Sequence, residues 1–143
     1  MTACHQDKTI HVLSKDIKDP KEKKETLKKY LKKQSGIQDS EYHIWFMDNG
    51  GGRVPGPSDY NITLALKIET DSINNWVGYL EPTKPFKIDD WDVLKLNPKI
   101  WNLKGEANYY RSSIGYELKI VFKEQNIVLA KYSTMPIKIK YVE

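Results

Sequence analysis

Apolar and polar residues alternate most cleanly over Ile62 to Ile68. Ile62, Leu64, Leu66 and Ile68 fall on one side, and Asn61, Thr63, Ala65 and Lys67 on the other. A period of two predicts a strand with one buried face. Tyr42 to Met47 is apolar at nearly every position and predicts a central strand covered on both faces. The last third of the chain repeats the strand signal in Asn108 to Ser112, Tyr116 to Lys123, Ile127 to Tyr132 and Ile137 to Val142. Glu124-Gln125-Asn126 has the length of a hairpin connection, and Met135-Pro136 separates the last two segments. In the final segment Ile137, Ile139 and Tyr141 alternate with Lys138 and Lys140, as at a sheet edge with one wet face. Thr9 to Leu13 predicts a further short edge strand.

The period changes at Asp19. This residue can cap a helix, Pro20 suits the first helical position, and Glu22 completes an Asp-x-x-Glu capping box. Leu27, Tyr30, Leu31 and Gln34 form a narrow stripe among lysines, and Gly36 predicts the C-terminal stop. A short second helix is expected from Asp71-Ser72-Ile73 through Trp76 to Leu80, capped by Thr70 or Asp71. Over residues 81–105, Pro82, Pro85 and Pro98 preclude a long helix. The same stretch holds Trp91, Val93, Leu94, Leu96, Ile100, Trp101 and Leu103, which predict an irregular cover over the sheet with a helical turn near Asp89 to Leu94. The chain therefore reads as α+β: an antiparallel sheet of five or six strands with one Lys-rich amphipathic helix packed on a face, and a short second helix. Residues 1–15 are expected to be a tether or edge segment, and 16–143 a single domain.

Composition narrows the function classes. A chain of 143 residues buries a self-sufficient core without metal or disulfide staples. No apolar run approaches the ~20 residues a membrane-spanning helix needs. The net charge of +4 is concentrated: nine lysines lie between Lys15 and Lys33 against Asp16, Asp19, Glu22 and Glu25, leaving the rest of the chain slightly acidic. The pI of about 9.0 thus describes one segment rather than a basic domain. Lysines outnumber arginines 21 to 2, which argues against specific nucleic-acid recognition, since base and phosphate readout favours the guanidinium fork.

The strongest candidate site is the stretch from Asp48 to Tyr60, which holds four glycines, two prolines and Arg53. Backbone N–H groups from Gly50 through Gly51 to Arg53 predict an anion-accepting nest, with Asp48 and Asp59 at its two ends. A phosphate loop is excluded because no Gly-Lys-Ser/Thr follows. The bland alternative is a rigid turn in which Arg53 pairs with Asp59. Tyr109-Tyr110-Arg111 has the composition of an interface hot spot, although neighbouring tyrosines on a strand face opposite ways. The expected contact residues are Asp48, Gly51, Arg53, Asp59, Tyr60 and Tyr110.

No catalytic group, metal or cofactor is predicted. His5, His11 and His43 lack a ligand spacing, and Asp89-Asp90-Trp91-Asp92 lacks the calcium-loop pattern and reads as a helix cap. The alternative reading is a small-ligand-binding or hydrolytic domain with a pocket under the loop at 48–60. There Asp48, His43 and Asp59 would supply acid/base groups and Trp45 a stacking wall. A third reading docks the lysine helix on anionic lipid or nucleic acid.

The single cysteine, Cys4, excludes an internal disulfide and a multi-Cys zinc site. Thr2-Ala3-Cys4 resembles the end of a bacterial lipoprotein signal, in which small residues precede the cysteine that is lipidated; the apolar segment and leucine that complete that signal are not in this sequence. The resemblance implies a lipid on Cys4 and a domain tethered on the periplasmic side of a bacterial membrane, whereas a chance cysteine implies the cytoplasm. It also implies a small envelope lipoprotein that recognises a protein partner, as an inhibitor or immunity-like protein of a toxin or hydrolase. Exchanging Arg53 for Glu is expected to weaken partner binding with the melting temperature nearly unchanged; a large drop in a thermal melt would make Arg53 structural instead.

Overall fold

The computed structural model describes residues 8–31, 34–48 and 59–142, without the side chains of Lys8, Asp48, Asp89 and Asp90. In chain order the elements are β1 (Lys8–Leu13), α1 (Pro20–Tyr30), β2 (Ile37–Asp48), β3 (Asp59–Ile68), α2 (Asn74–Val77), β4 (Glu81–Thr83), β5 (Phe86–Lys87), β6 (Asn108–Arg111), β7 (Glu117–Phe122), β8 (Ile127–Ser133) and β9 (Lys140–Tyr141). Seven strands form one antiparallel sheet in the order β1-β2-β3-β8-β7-β6-β4, and β5 pairs with β9 in a separate ribbon. The fold is α+β.

The sheet is wider than the five or six strands expected. The addition is β4, three residues from the proline-rich stretch, with Pro82 opposite Tyr110. A strand lacking an N–H is tolerated there because it lies at the edge. The expected strand Ile137 to Val142 does not join the main sheet. After Pro136 the chain runs as a strap, of which only Lys140–Tyr141 pairs, with β5.

The first face of the sheet carries the helices. Tyr42 and Ile44 from β2, Ile62, Leu64, Leu66 and Ile68 from β3, and Val128 and Ala130 from β8 pack with Leu27 and Leu31 from the α1 region and Trp76 and Val77 from α2. The alternation of β3 therefore faces the helices as its period requires. Asp19 caps α1 by accepting from the Lys21 N–H at 3.1 Å, and Pro20 opens it. The helix ends at Tyr30, earlier than Gly36 suggested. Gly36 instead turns the chain into β2 with φ +68°, and a Cβ there would lie 2.4 Å from Ser72 Oγ. Neither Thr70 nor Asp71 caps α2; the Thr70 hydroxyl bonds the Asn126 side chain at 3.1 Å.

The second face is covered from residues 81–105, as expected. Phe86, Trp91, Leu94 and Trp101 pack onto Ala65, Leu118, Ile120, Phe122, Ile127 and Leu129. Ile137 and Ile139 of the strap lean on the same cluster. The Ile137 N–H donates to the Gly115 carbonyl at 2.9 Å, and the Val142 N–H to the Pro85 carbonyl at 2.9 Å.

One charge is buried in the helical layer. The fully buried Lys119 ammonium donates to the Trp76 carbonyl and the Tyr79 hydroxyl, each at 2.6 Å, and pairs with Glu117 at 2.9 Å. The rings of Tyr79, Tyr132 and Trp76 surround it at 4.9, 5.2 and 5.4 Å. Burial, and then the hydrogen bond to Glu117, push the Tyr79 hydroxyl well above the usual phenol range, so it remains protonated. A buried ammonium stripped of its carboxylate is far costlier than a pair replaced by an apolar chain. Glu117→Ala is therefore expected to lower unfolding free energy by about 3 kcal/mol, and Glu117→Leu combined with Lys119→Met by clearly less, both measured by urea denaturation.

Candidate functional site

Among the described residues, the cover on the second face stops at the row of Ala65. Beyond it, β2, β3 and β8 present polar and aromatic side chains instead of aliphatic ones. Antiparallel register aligns His43, Thr63 and Lys131 in one cross-strand row and Trp45, Asn61 and Ser133 in the next. His11 of β1 lies opposite Trp45 and extends the second row. With strands ~4.8 Å apart, each row places its side chains within reach of one another. These rows floor an open groove of about 1140 Å³, walled by residues 134–140 of the strap and by Lys87, Ile88 and Val93.

The groove is cationic. Lys87, Lys131, Lys138 and Lys140 line it, against Asp59 as the one carboxylate among the described lining residues. Lys87, Lys138 and Lys140 are exposed, whereas Lys131 is buried in the floor with its ammonium 3.4 Å from Thr63 Oγ1. His43 sits 6.0 Å from His11, ring centre to ring centre. Partial burial, then His11, then Lys131 hold the His43 imidazole below its usual pKa, so it is neutral near pH 7. Asp59 accepts from the Thr134 hydroxyl at 3.2 Å, and the Thr134 N–H donates to the Tyr60 carbonyl at 3.1 Å. That clip sets where the strap leaves β8 and becomes the wall.

The structure gathers some of the expected site residues and separates others. Asp59 and Tyr60 both border the groove, with the Tyr60 ring half-buried against the helical core. Tyr110 is three strands from β3, and its ring packs against the helical core, so it is not part of this site. Asp48 ends β2 opposite Lys8, and its side chain lies outside the described residues, as do Cys4, Gly51, Arg53 and the nest expected over 50–53. His43, Trp45 and Asp59 of the alternative reading line one groove, and the loop expected above them lies outside the described residues. His43 is level with Thr63, four residues from Asp59 along β3, roughly 13 Å at strand rise.

The expectation that β2 is covered on both faces is corrected: Trp45 and His43 are only half-buried and open to the groove. Asn61, Thr63, Lys131 and Ser133 were not among the candidates. Their signal was present as polar residues at every second position of strands whose alternate residues are deeply apolar. Among the described residues no group of three or more His, Cys, Asp or Glu side chains is placed to hold a metal. No protein-family model, curated protein or solved structure matches the chain.

The His43 environment fixes a pH dependence of stability. Its folded pKa lies below the unfolded value of about 6.5, so its neutral form stabilises the fold above that value. That contribution is lost as pH falls through 6.5 towards the folded pKa. The melting temperature should decline from about pH 7.5 to about pH 5, and His43→Gln should flatten that part of the curve, as read by thermal melts across the range.

Proposed function

We propose that this chain is a non-catalytic protein-recognition domain, of inhibitor or immunity-like type, whose docking surface is the groove on the second sheet face. Its occupant is an extended, acidic segment of a partner protein. The carrying observation is the pair of cross-strand rows that the described residues leave uncovered beside three exposed lysines. Carboxylates of the segment meet Lys87, Lys138 and Lys140 at the wall, while Trp45 and Asn61 supply an aromatic face and amide hydrogen bonds at the floor. An open groove suits a chain passing through it better than a small molecule, which is ordinarily enclosed over most of its surface. Lysines act here as point charges that favour acidic partners and accelerate encounter without demanding one geometry.

The Thr2-Ala3-Cys4 sequence supports placing this domain at a bacterial envelope through a lipid on Cys4. No helix among the described residues is long and apolar enough to cross a membrane, so a membrane attachment of this kind would rest on that lipid.

A short Glu/Asp-rich peptide titrated by tryptophan fluorescence is expected to bind and to weaken steeply as salt rises from about 50 to about 500 mM. Lys138→Glu with Lys140→Glu should reduce its affinity at least about tenfold with an unchanged melting temperature. Undiminished binding by that double variant would overturn the proposal, as would tighter binding of an equally charged single-stranded oligonucleotide.

A further inference from the structure

The groove opens at one end beside the turn that joins β6 to β7. That turn is tightly fixed. The Ser112 N–H donates to the Glu117 carbonyl at 2.9 Å, and the Ser112 hydroxyl accepts from the Tyr116 and Glu117 N–H groups at 3.0 and 3.1 Å. Gly115 takes φ +77° at its corner, a left-handed conformation that favours glycine. The chain leaving β8 crosses this turn: the Ser133 N–H donates to the Tyr116 carbonyl at 3.0 Å, and the Ile137 N–H to the Gly115 carbonyl at 2.9 Å. Those two bonds lie two residues to either side of Met135 and tie its segment to the turn.

The result is a clustered apolar rim on a rigid support. Met135 is 68% exposed, Ile114 65% and Tyr116 38%. Single exposed apolar residues are ordinary, but here three lie on two backbone segments tied together by hydrogen bonds. Met135 also lines the groove, so rim and groove are continuous. Tight turns elsewhere favour Gly, Asn, Asp and Ser, and nothing in the turn geometry requires Ile114 to be aliphatic.

We infer that the rim formed by Ile114, Tyr116 and Met135 receives a bulky apolar side chain from the same partner segment whose acidic residues lie along the groove. The recognised sequence is therefore an acidic stretch with a Leu-, Met- or Phe-type residue at one end. This inference rests on the groove being the docking surface. The lysines select charge and the rim fixes register, because a segment slid by one residue along the groove withdraws its apolar end from the patch. Met135, unbranched and polarizable, suits a pocket that adapts to the incoming side chain.

The test compares three peptides on the full chain by titration calorimetry: a Glu/Asp-rich peptide, and the same peptide extended by Leu-Phe at its N- or its C-terminus. One extended form should bind about tenfold tighter than the parent, the gain expected for burying a large apolar side chain. Ile114→Ser with Tyr116→Ser should abolish that gain and leave the parent affinity and the melting temperature unchanged, since both side chains are exposed and neither lines the groove. Equal affinity of all three peptides would overturn the rim while leaving the groove as the docking surface. Binding of none would overturn both. A concentration-dependent dimer in sedimentation that the double serine variant dissolves would assign the rim to a second copy of the chain and also overturn the inference.

Discussion

Everything in this molecule depends on the register of β3. The strand pairs with β2 over its whole length and with β8 from Asn61 to Lys67, so it joins the two halves of the sheet. A slip of one residue would exchange Ile62, Leu64, Leu66 and Ile68 for Asn61, Thr63, Ala65 and Lys67. Each buried aliphatic side chain contributes roughly 1.5–3 kcal/mol, so the slip would cost on the order of 6–12 kcal/mol, comparable to the net stability of a small domain. The hydrophobic term on the helical face therefore dictates which residues appear on the other face. The polar floor of the groove is a consequence of the core.

That second face is divided rather than uniform. Rows containing Ala65 and Leu129 are roofed by Trp91, Leu94 and Trp101, while the following rows are open. The roof is built from a stretch with three prolines and no long element, so it is anchored by a few large rings instead of a regular face. Lys67 illustrates the boundary on the roofed side: its ammonium lies 5.5 Å from the Trp101 ring centre, which lets a cation stay at the margin of an apolar cover. At the other margin Lys131 is buried in the floor beside Thr63. Core and groove thus share one sheet face at successive rungs of the same ladder.

What could be read from the sequence was whatever a local period encodes. The strand at 62–68, the start of α1 at Asp19-Pro20 and the hairpin at Glu124 to Asn126 involve residues close in the chain, and Asn126 takes the positive φ that such a turn uses. The irregular roof was also legible, because prolines and tryptophans together permit little else. The β5–β9 ribbon and the edge strand β4 were not, because each is made by partners far apart in sequence and too short to show a period. The end of α1 was misplaced because Gly36 serves a different turn, against Ser72. The candidate site was half legible: Asp59 and Tyr60 were named as contact residues and His43 and Trp45 with Asp59 in the alternative pocket, but Tyr110 was grouped with Asp59 and Tyr60 by composition, whereas strand order puts it elsewhere. An apolar β2 looked doubly covered, because a residue facing a partner groove and one facing a core have the same side-chain chemistry.

The floor and wall of the groove are held by different kinds of bonding, and that difference bears on recognition. The floor residues sit in continuous ladders across β1, β2, β3 and β8, where moving one side chain laterally requires breaking strand pairs. The strap that forms the wall is tied only at intervals: at Thr134 by Asp59 and Tyr60, at Ile137 by Gly115, and at its end by β5 and by the Arg111 bond to the Tyr141 hydroxyl at 2.8 Å. Hydrogen bonds from Thr83 and then Arg111 lower the pKa of that exposed hydroxyl. Lys138 lies between the ties and Lys140 at the end tie itself, and both line the groove. On the proposed recognition function, a fixed floor would supply shape, and a wall pinned at intervals would let two flexible ammonium groups follow the carboxylates of an incoming segment. Such a division favours tolerance in charge placement and strictness at the rigid ends, where Trp45 and the Met135 rim lie.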